Sequence, residues 1–347
     1  MQDIDCGTAD VKERANALGP RHGSATVALQ QATDKIVLAL VRCWCFLRHA
    51  RLCRWTARRA GAQPDPVTPV SDVDKFLWRK IFDHNPLFAV ACDKLAANEY
   101  AVSICPELKT AKVLWVGNEP DQIPAQVLAG NVMIKANCGS GMNVVVLGGK
   151  VNRVALRKKA RLWLKRPYGQ KWGEWGYKNV KRCLFVETLL LEDHQPIRHE
   201  YKFHTAGGRV AYVFVSRRMD NGEKHYCHFT RDGRIASARN DGVPARSEVT
   251  LPAAYERMVA IAERLAAPFD YMRCDLYELN GEIFFSELSP YPLSGQGSSN
   301  PLVRDLVNSA WDLRTSWFLT TPQSGWRELY SSALCRWLDD VREHRST

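Results

Sequence analysis

Apolar residues recur along this chain with two periods. Helical spacing runs over 71–83, with Ser71 in the capping position, and again over 86–100. Strand-like runs follow at 112–116 and at Val132–Ala136; the second passes through the loop 137–143 into another strand, 144–147, which makes a hairpin closed by glycines. A basic helix is expected over 152–165, then a connection rich in Trp, Gly and Tyr through Tyr177. Strands crowd together at 183–191, 199–204, 209–216 and 225–230, with Ala206-Gly207-Gly208 as a turn between two of them. The segment 251–267 reads as a helix with Pro252 in its first turn. A hairpin across Asn280-Gly281 joins 271–279 to 282–288, and helices over 300–319 and 326–342 end the chain. The elements predict a mixed α/β (α+β) fold without internal repeats.

Ahead of them, residues 1–33 read as a polar, weakly structured tail, and 61–69 as a Pro-rich linker, so the folded enzyme is expected to start near Val70. The run 36–47 is apolar except for Arg42, far short of the ~20 residues of a spanning helix. Arg48, Arg51, Arg54, Arg58 and Arg59 follow it directly. This segment suits either a helix lying on an anionic membrane surface or an ordinary docking helix. Asp3, Asp5 and Asp10 stand where a secretory signal has its basic residues, so a cytoplasmic protein, possibly peripheral at the membrane through 36–59, is expected.

Composition excludes wholesale disorder: 46% of the 347 residues are hydrophobic, enough for a large core or several subdomains. The 11 cysteines lack zinc spacing, which favours reduced thiols. The net charge of +11 is focused: between 150 and 182 stand twelve Lys or Arg against a single acid, Glu174. Such a field favours an anionic ligand, against the plainer reading of a solvated helix face.

Two motifs carry chemistry. In Cys138-Gly139-Ser140-Gly141-Met142-Asn143, the glycines can adopt positive φ and turn successive amides toward one anion, as a polyphosphate requires. Lys135, inside the preceding strand, is the neighbouring cation; the alternative is an edge-strand lysine that blocks aggregation. In the acidic hairpin, Asp275 and Glu287 could clamp Mg2+, provided they share a face. A two-residue turn at Asn280-Gly281 in regular register pairs Asp275 with Ser286 and separates them. A three-residue loop, 280–282 with a bulge at Gly281, pairs Asp275 with Glu287, and this register is the expected one. Arg273 shares the Asp275 face, where it can neutralise phosphate charge or simply pair with an acid. His84, in Phe82-Asp83-His84-Asn85-Pro86, reads as structural, with Asp83 or Asn85 as a helix cap. His204, His225 and His228 lack metal spacing.

The order of these parts resembles the ATP-grasp superfamily, and within it the TupA-like branch associated with teichuronopeptide, capsule and other surface-polysaccharide biosynthesis. The likeness runs from Phe76 to Gly297. It is carried by 78–88 (WRKIFDHNPLF), 93–96 (DKLA), 134–141 (IKANCGSG), 175–181 (WGYKNVK), 201–204 (YKFH) and 274–277 (CDLY). It implies ATP held between two sheet-containing subdomains, a lid at 131–190 and a catalytic one at 191–300, after an N-terminal subdomain at 70–130 and before C-terminal helices at 301–347, with 1–69 as tail, basic helix and linker. By the same resemblance Lys135 and Gly139, Ser140 and Gly141 touch ATP phosphates, Glu187 and Leu189 line the adenine pocket, and Lys202 reaches a terminal phosphate. Arg273 stands by the reacting group, and Asp275, Glu287 and Ser289 hold magnesium, with Ser289 where many relatives have Asn. The implied reaction is ATP-dependent ligation of a carboxylate, on an anionic glycan or uronic acid, to an amine or amino acid. The basic stretch, with Lys158, Lys159 and Arg161, is expected to close over the acidic substrate. An ATP-grasp kinase or glycan transferase is the enzymatic alternative. A basic membrane- or nucleic-acid-binding module is the non-enzymatic one; no nucleic acid is expected, because that reading leaves the acidic hairpin unused.

Overall fold

The computed structural model describes residues 19–237, 239–240, 243–244, 249–298 and 300–346. The helices are α1 (Gly19–Arg48), α2 (Ala50–Ala60), α3 (Asp72–Ile81), α4 (Leu87–Cys92), α5 (Lys94–Ile104), α6 (Ala125–Leu128), α7 (Arg153–Lys165), α8 (Tyr255–Ala266), α9 (Pro301–Ala310), α10 (Trp317–Thr320) and α11 (Trp326–Ser346). Where these differ from expectation, the cause is local. The segment read as tail is helical from Gly19; the part of that reading before it lies outside the described residues. The helix expected over 86–100 is two helices, because Asp93 takes an extended backbone and its carboxylate caps α5 by accepting from Leu95 N at 3.0 Å. Pro252 lies ahead of α8 rather than in its first turn, and the helix expected over 300–319 breaks after Ala310. Ser71 caps α3 as expected, in a full capping box with Asp74.

Two main sheets organise the rest. The smaller joins β2 (Val113–Gly117), β3 (Val132–Ala136), β4 (Asn143–Val146) and β5 (Leu184–Thr188) in the order β2-β5-β3-β4. Strand β2, placed by the sequence before residue 131, therefore belongs to the sheet expected to begin after it. Leu156 of α7 packs with Ile134, Val146 and Val186 on one face of this sheet.

The larger sheet joins β1 (Lys109–Thr110), β8 (His199–Ala206), β9 (Arg209–Arg218), β10 (Lys224–Phe229), β11 (Ile235–Ser237), β14 (Tyr271–Leu279) and β15 (Glu282–Ser289) in the order β1-β15-β14-β8-β9-β10-β11. Short pairs β6 (Leu191–Glu192) with β7 (Gln195–Pro196), and β12 (Arg239–Asn240) with β13 (Val243–Pro244), complete the set. Helix α8 covers one face of the large sheet: Met258, Ala262 and Leu265 are fully buried in a cluster with Phe203, Met272 and Leu276.

A charged linchpin sets the position of β14. Arg79 of α3 is fully buried and donates to Asp270 at 2.6 Å, to the Tyr271 carbonyl at 3.1 Å and to the Pro290 carbonyl at 2.9 Å. Asp270 also accepts from Trp311 Nε1 at 2.7 Å. A buried guanidinium needs partners for its charge; Arg79 Nε has only Asp83 nearby at 3.9 Å, while the other bonds tie α3, both ends of the acidic hairpin and the C-terminal region into one unit. The conspicuous string 78–83 is thus structural: Trp78 bonds Tyr330 at 2.9 Å and Asp83 accepts from Phe318 N at 2.9 Å. His84 stacks on Trp175 at 5.0 Å, and burial holds its imidazole down at about 4, so it stays neutral.

Candidate active site

Lys135 is not an edge lysine. Strand β3 lies between β5 and β4, and its alternation buries Val132, Ile134 and Ala136 while Met133 and Lys135 face the opposite side. There Lys135 forms an ion pair with Glu187 of β5, whose carboxylate is only 9% exposed. Lys135 is therefore a paired lysine inside the sheet, facing away from α7.

The glycine loop is pinned at its base. Asn137 accepts from Cys183 N at 2.9 Å and donates to the Lys181 carbonyl at 3.1 Å, while Ala136 N closes the loop on the Met142 carbonyl at 3.0 Å. Gly139 (φ 96°) and Gly141 (φ 70°) take the positive values the sequence called for. The Tyr168 ring lies so close to Gly139 that a Cβ there would come within 2.8 Å of it.

In the acidic hairpin Asp275 does pair with Glu287, by a different route from the expected one. The turn is the two-residue kind: Leu279 pairs with Glu282, and Asn280 (φ 54°) and Gly281 (φ 81°) both adopt the left-handed conformation that matches strand twist. The extra residue sits at Ser286, because Leu276 pairs with Phe285 and Asp275 with Glu287. A bulge beside the site, rather than a longer turn, brings the two carboxylates together.

Around them lies a compact ionic lattice. Asp275, fully buried, accepts from Arg273 at 2.6 and 2.8 Å and from Lys202 at 2.8 Å; Lys202 also reaches Glu200 at 2.8 Å. Arg273 bridges to Glu287 as well. Lys94, which the sequence reading passed over, donates to the Gly139 carbonyl at 2.6 Å and approaches Glu287 at 3.8 Å, linking the glycine loop to the hairpin. Burial raises the Glu287 carboxyl, but Lys94, Arg273, Lys202 and Lys135 outweigh it and hold it down at about 2. Burial lifts the Asp275 carboxyl above its usual range, opposed by Arg273 and Lys202. Burial lowers the Lys202 ammonium, and Asp275, Glu200 and Glu287 together more than reverse it.

A cleft of about 1170 Å³ opens onto this lattice, lined by Gly139, Ser140, Tyr168, Arg273, Glu287 and Ser289. Arg59 and Arg304 also line it. Lys135, Glu187, Leu189, Lys202 and Asp275 are not part of this lining; all but Leu189, which follows β5, lie in the two sheets. The basic helix α7 does not line it either, so Lys158, Lys159 and Arg161 do not face the cleft as expected. Arg161 instead lies 3.8 Å from Glu119 and Asp121, and Arg157 pairs with Asp121 at 2.8 Å.

Beside Tyr168 and Tyr177, the basic stretch brings into the cleft its lone acid. Glu174 is 4% exposed, lines the cleft, and has one carboxylate oxygen without a hydrogen-bond partner. Burial pushes its carboxyl up to about 7 against the pull of Lys80 and a bond from Ser294. The signal in sequence was the single acid among twelve basic residues.

The donor set fits a magnesium nucleotide. Two carboxylates in direct register, with Ser289 paired to Arg273 at the next position, offer oxygen ligands for Mg2+. Lys94, Lys135, Lys202 and Arg273 stand among the carboxylates as partners for phosphate oxygens. Among the described residues no group of three or more His, Cys, Asp or Glu converges as a metal site. A cation here therefore needs ligands from its nucleotide, as Mg2+ commonly does.

No curated protein matches the chain. Among solved structures it is similar to D-alanine–D-alanine ligase from Helicobacter pylori, at 13% identity over 64% of this chain and 58% of that one, with a TM-score of 0.37. It is also similar to the same enzyme from Bacillus anthracis, at 11% identity over 74% and 69% (TM-score 0.37). N5-carboxyaminoimidazole ribonucleotide synthetase gives 13% identity over 72% and 53% (TM-score 0.38). The chain thus spans less than two thirds of the length of the first of these structures. A family model, described as TupA-like ATP-grasp, matches residues 74–307, which takes in both main sheets, the glycine loop and the acidic hairpin. The chain belongs to the TupA-like ATP-grasp family.

Proposed function

We propose that this protein is an ATP-dependent carboxylate–amine ligase of surface-polysaccharide biosynthesis, joining an anionic glycan or uronic acid to an amine or amino acid through an acyl-phosphate. The observation that carries the reading is Lys94, whose ammonium joins the Gly139 carbonyl to Glu287 and so sets a phosphate-binding loop against a paired-carboxylate hairpin at the mouth of one cleft. ATP bound there supplies the phosphoryl group that activates the carboxylate. Lys135 and the amides of Gly139, Ser140 and Gly141 would hold phosphate oxygens, and the adenine would lie beyond the cleft's lining, beside Glu187 and Leu189. Asp275 and Glu287, with Ser289, hold Mg2+.

Arg273 and Lys202 neutralise charge on the transferring group and on the acyl-phosphate. Such fixed positive groups act most strongly where charge builds up in the transition state. Glu174 takes one proton from the incoming ammonium. The free amine then attacks the acyl carbon, a C–N bond forms, the C–O bond to phosphate breaks, and the second proton leaves with phosphate. A carboxyl raised to about 7 is suited to that exchange near neutral pH.

The test is a screen of ADP release over uronic acids and amino acids with Mg2+. Release that requires both an acid and an amine supports ligation. Release with a phosphorylated glycan and no amine requirement replaces the ligase with a kinase.

A further inference from the structure

The helices α1 and α2 take no part in the site chemistry apart from Arg59 at the cleft edge, yet their exposed face is strongly patterned. Their buried side runs through Leu38, Val41, Cys45, Cys53 and Thr56. The bend at His49 (φ −117°, ψ 23°) does not break this phase. His49 N still bonds the Cys45 carbonyl at 2.8 Å, and Cys53 N bonds the His49 carbonyl at 3.0 Å. The opposite face is therefore continuous too. It carries Leu29, Ile36, Leu40, Cys43 and Leu47, then Arg51, Arg54 and Arg58, at steps of three, four or seven residues.

Leu29, Ile36, Leu40 and Leu47 are 60–83% exposed, a stripe about 27 Å long at 1.5 Å per residue. The acid of this helical pair, Asp34, is turned to Arg336 of α11 at 2.7 Å. Among the described residues no carboxylate pairs with Arg51, Arg54 or Arg58, and Arg54 bonds only the Ala50 carbonyl at 3.3 Å.

We infer that this stripe docks the protein on an anionic lipid surface, the leucine and isoleucine side chains entering the acyl boundary and the three arginines meeting headgroup phosphates. An apolar row that passes into an uncompensated cationic row on one helical face matches an interface that is apolar beneath and anionic above. A second copy fits less well, since parallel pairing would set arginine against arginine. Nor is either helix able to cross the bilayer: among the described residues no helix is long and apolar enough.

The test is co-sedimentation of the full chain with phosphatidylcholine vesicles and with mixed phosphatidylcholine–phosphatidylglycerol vesicles. The mixed vesicles should bind it and the neutral ones should not. An arginine near an anionic surface is worth roughly a fivefold change in partition, so Arg51→Gln/Arg54→Gln/Arg58→Gln should lower binding roughly a hundredfold. Leu40→Gln/Leu47→Gln should lower it as well. All five positions are exposed, so unchanged circular dichroism and melting should accompany both variants. Absent binding, equal binding to both vesicle types, or indifference to both variants overturns the proposal. A dimer in solution that Leu40→Gln/Leu47→Gln dissolves, without vesicle binding, replaces the lipid with a second copy.

Discussion

Replacing Lys135 by Met separates the structural role of the Lys135–Glu187 pair from its role in holding nucleotide. The change keeps side-chain length and removes the charge. With Lys135 gone, the Glu187 carboxylate, 9% exposed, loses its partner in the interior of the small sheet. Orphaning a buried charge costs about 3 kcal/mol, so thermal and denaturant midpoints should fall. A charge-assisted bond to phosphate is worth about 1.5–3 kcal/mol, so affinity for Mg2+-nucleotide should fall roughly 10- to 150-fold. Lys135→Met/Glu187→Gln removes the orphaned charge and should regain most of the lost stability without regaining affinity. Calorimetric titration with ADP and Mg2+, beside thermal melts of both variants, reads the two effects apart. Wild-type affinity in Lys135→Met, or affinity that returns together with stability in the double variant, would refute the phosphate role and leave the pair purely structural.

Other perturbations probe neighbouring links. Arg79→Leu strips Asp270 and two carbonyls of their donor, and should cost about 3–5 kcal/mol of unfolding free energy; a urea midpoint within error of wild type would remove the linchpin. Gly139→Ala brings a methyl against the Tyr168 ring at a left-handed φ, whereas at Gly141 a Cβ meets open space. Nucleotide affinity should therefore collapse in the first and fall only a few-fold in the second, and equal losses would show that the loop is not packed as described. Glu174 has a folded-state pKa raised to about 7 from 4.5, so its protonated form stabilises the fold below pH 4.5, and that contribution is lost as pH rises through 7. Glu174→Gln should accordingly gain in melting temperature relative to wild type between about pH 4 and pH 8, while its amine-dependent ADP release falls. A melting difference that stays flat with pH would mean an ordinary, exposed carboxylate.

Much of the fold was legible because its signals are short-range. The run Val132–Ala136 reads as a strand because it is a short, mostly apolar stretch ahead of a glycine turn, and Asn280-Gly281 is a turn because both residues accept positive φ. Ser71 starts α3 because its hydroxyl caps the helix two to three residues ahead. Asp93 was missed for a related reason: the apolar spacing on either side of it is helical, and only the extended backbone at that one residue divides the segment. The candidate site was legible in its residue types, less so in its wiring. The partner of Lys135 was not legible because Glu187 lies far along the chain. Lys94 stood in the string 93–96 (DKLA) with nothing local to give it a role, and Glu174 read as one acid in a basic stretch.

What the sequence by itself determined was therefore most of the strands and helices, the glycine loop and the residue types of the two motifs. These follow from steric preference, apolar period and the few residues that tolerate left-handed backbone. Only the tertiary structure decided that Asp275 meets Glu287 through a bulge at Ser286, that Lys94 links loop to hairpin, that α7 turns its charges away from the cleft, and that α1 continues its exposed face into α2. Each of these depends on register or on packing between segments distant in sequence. A shift of one residue in register exchanges the faces of a strand at no visible cost in local pattern.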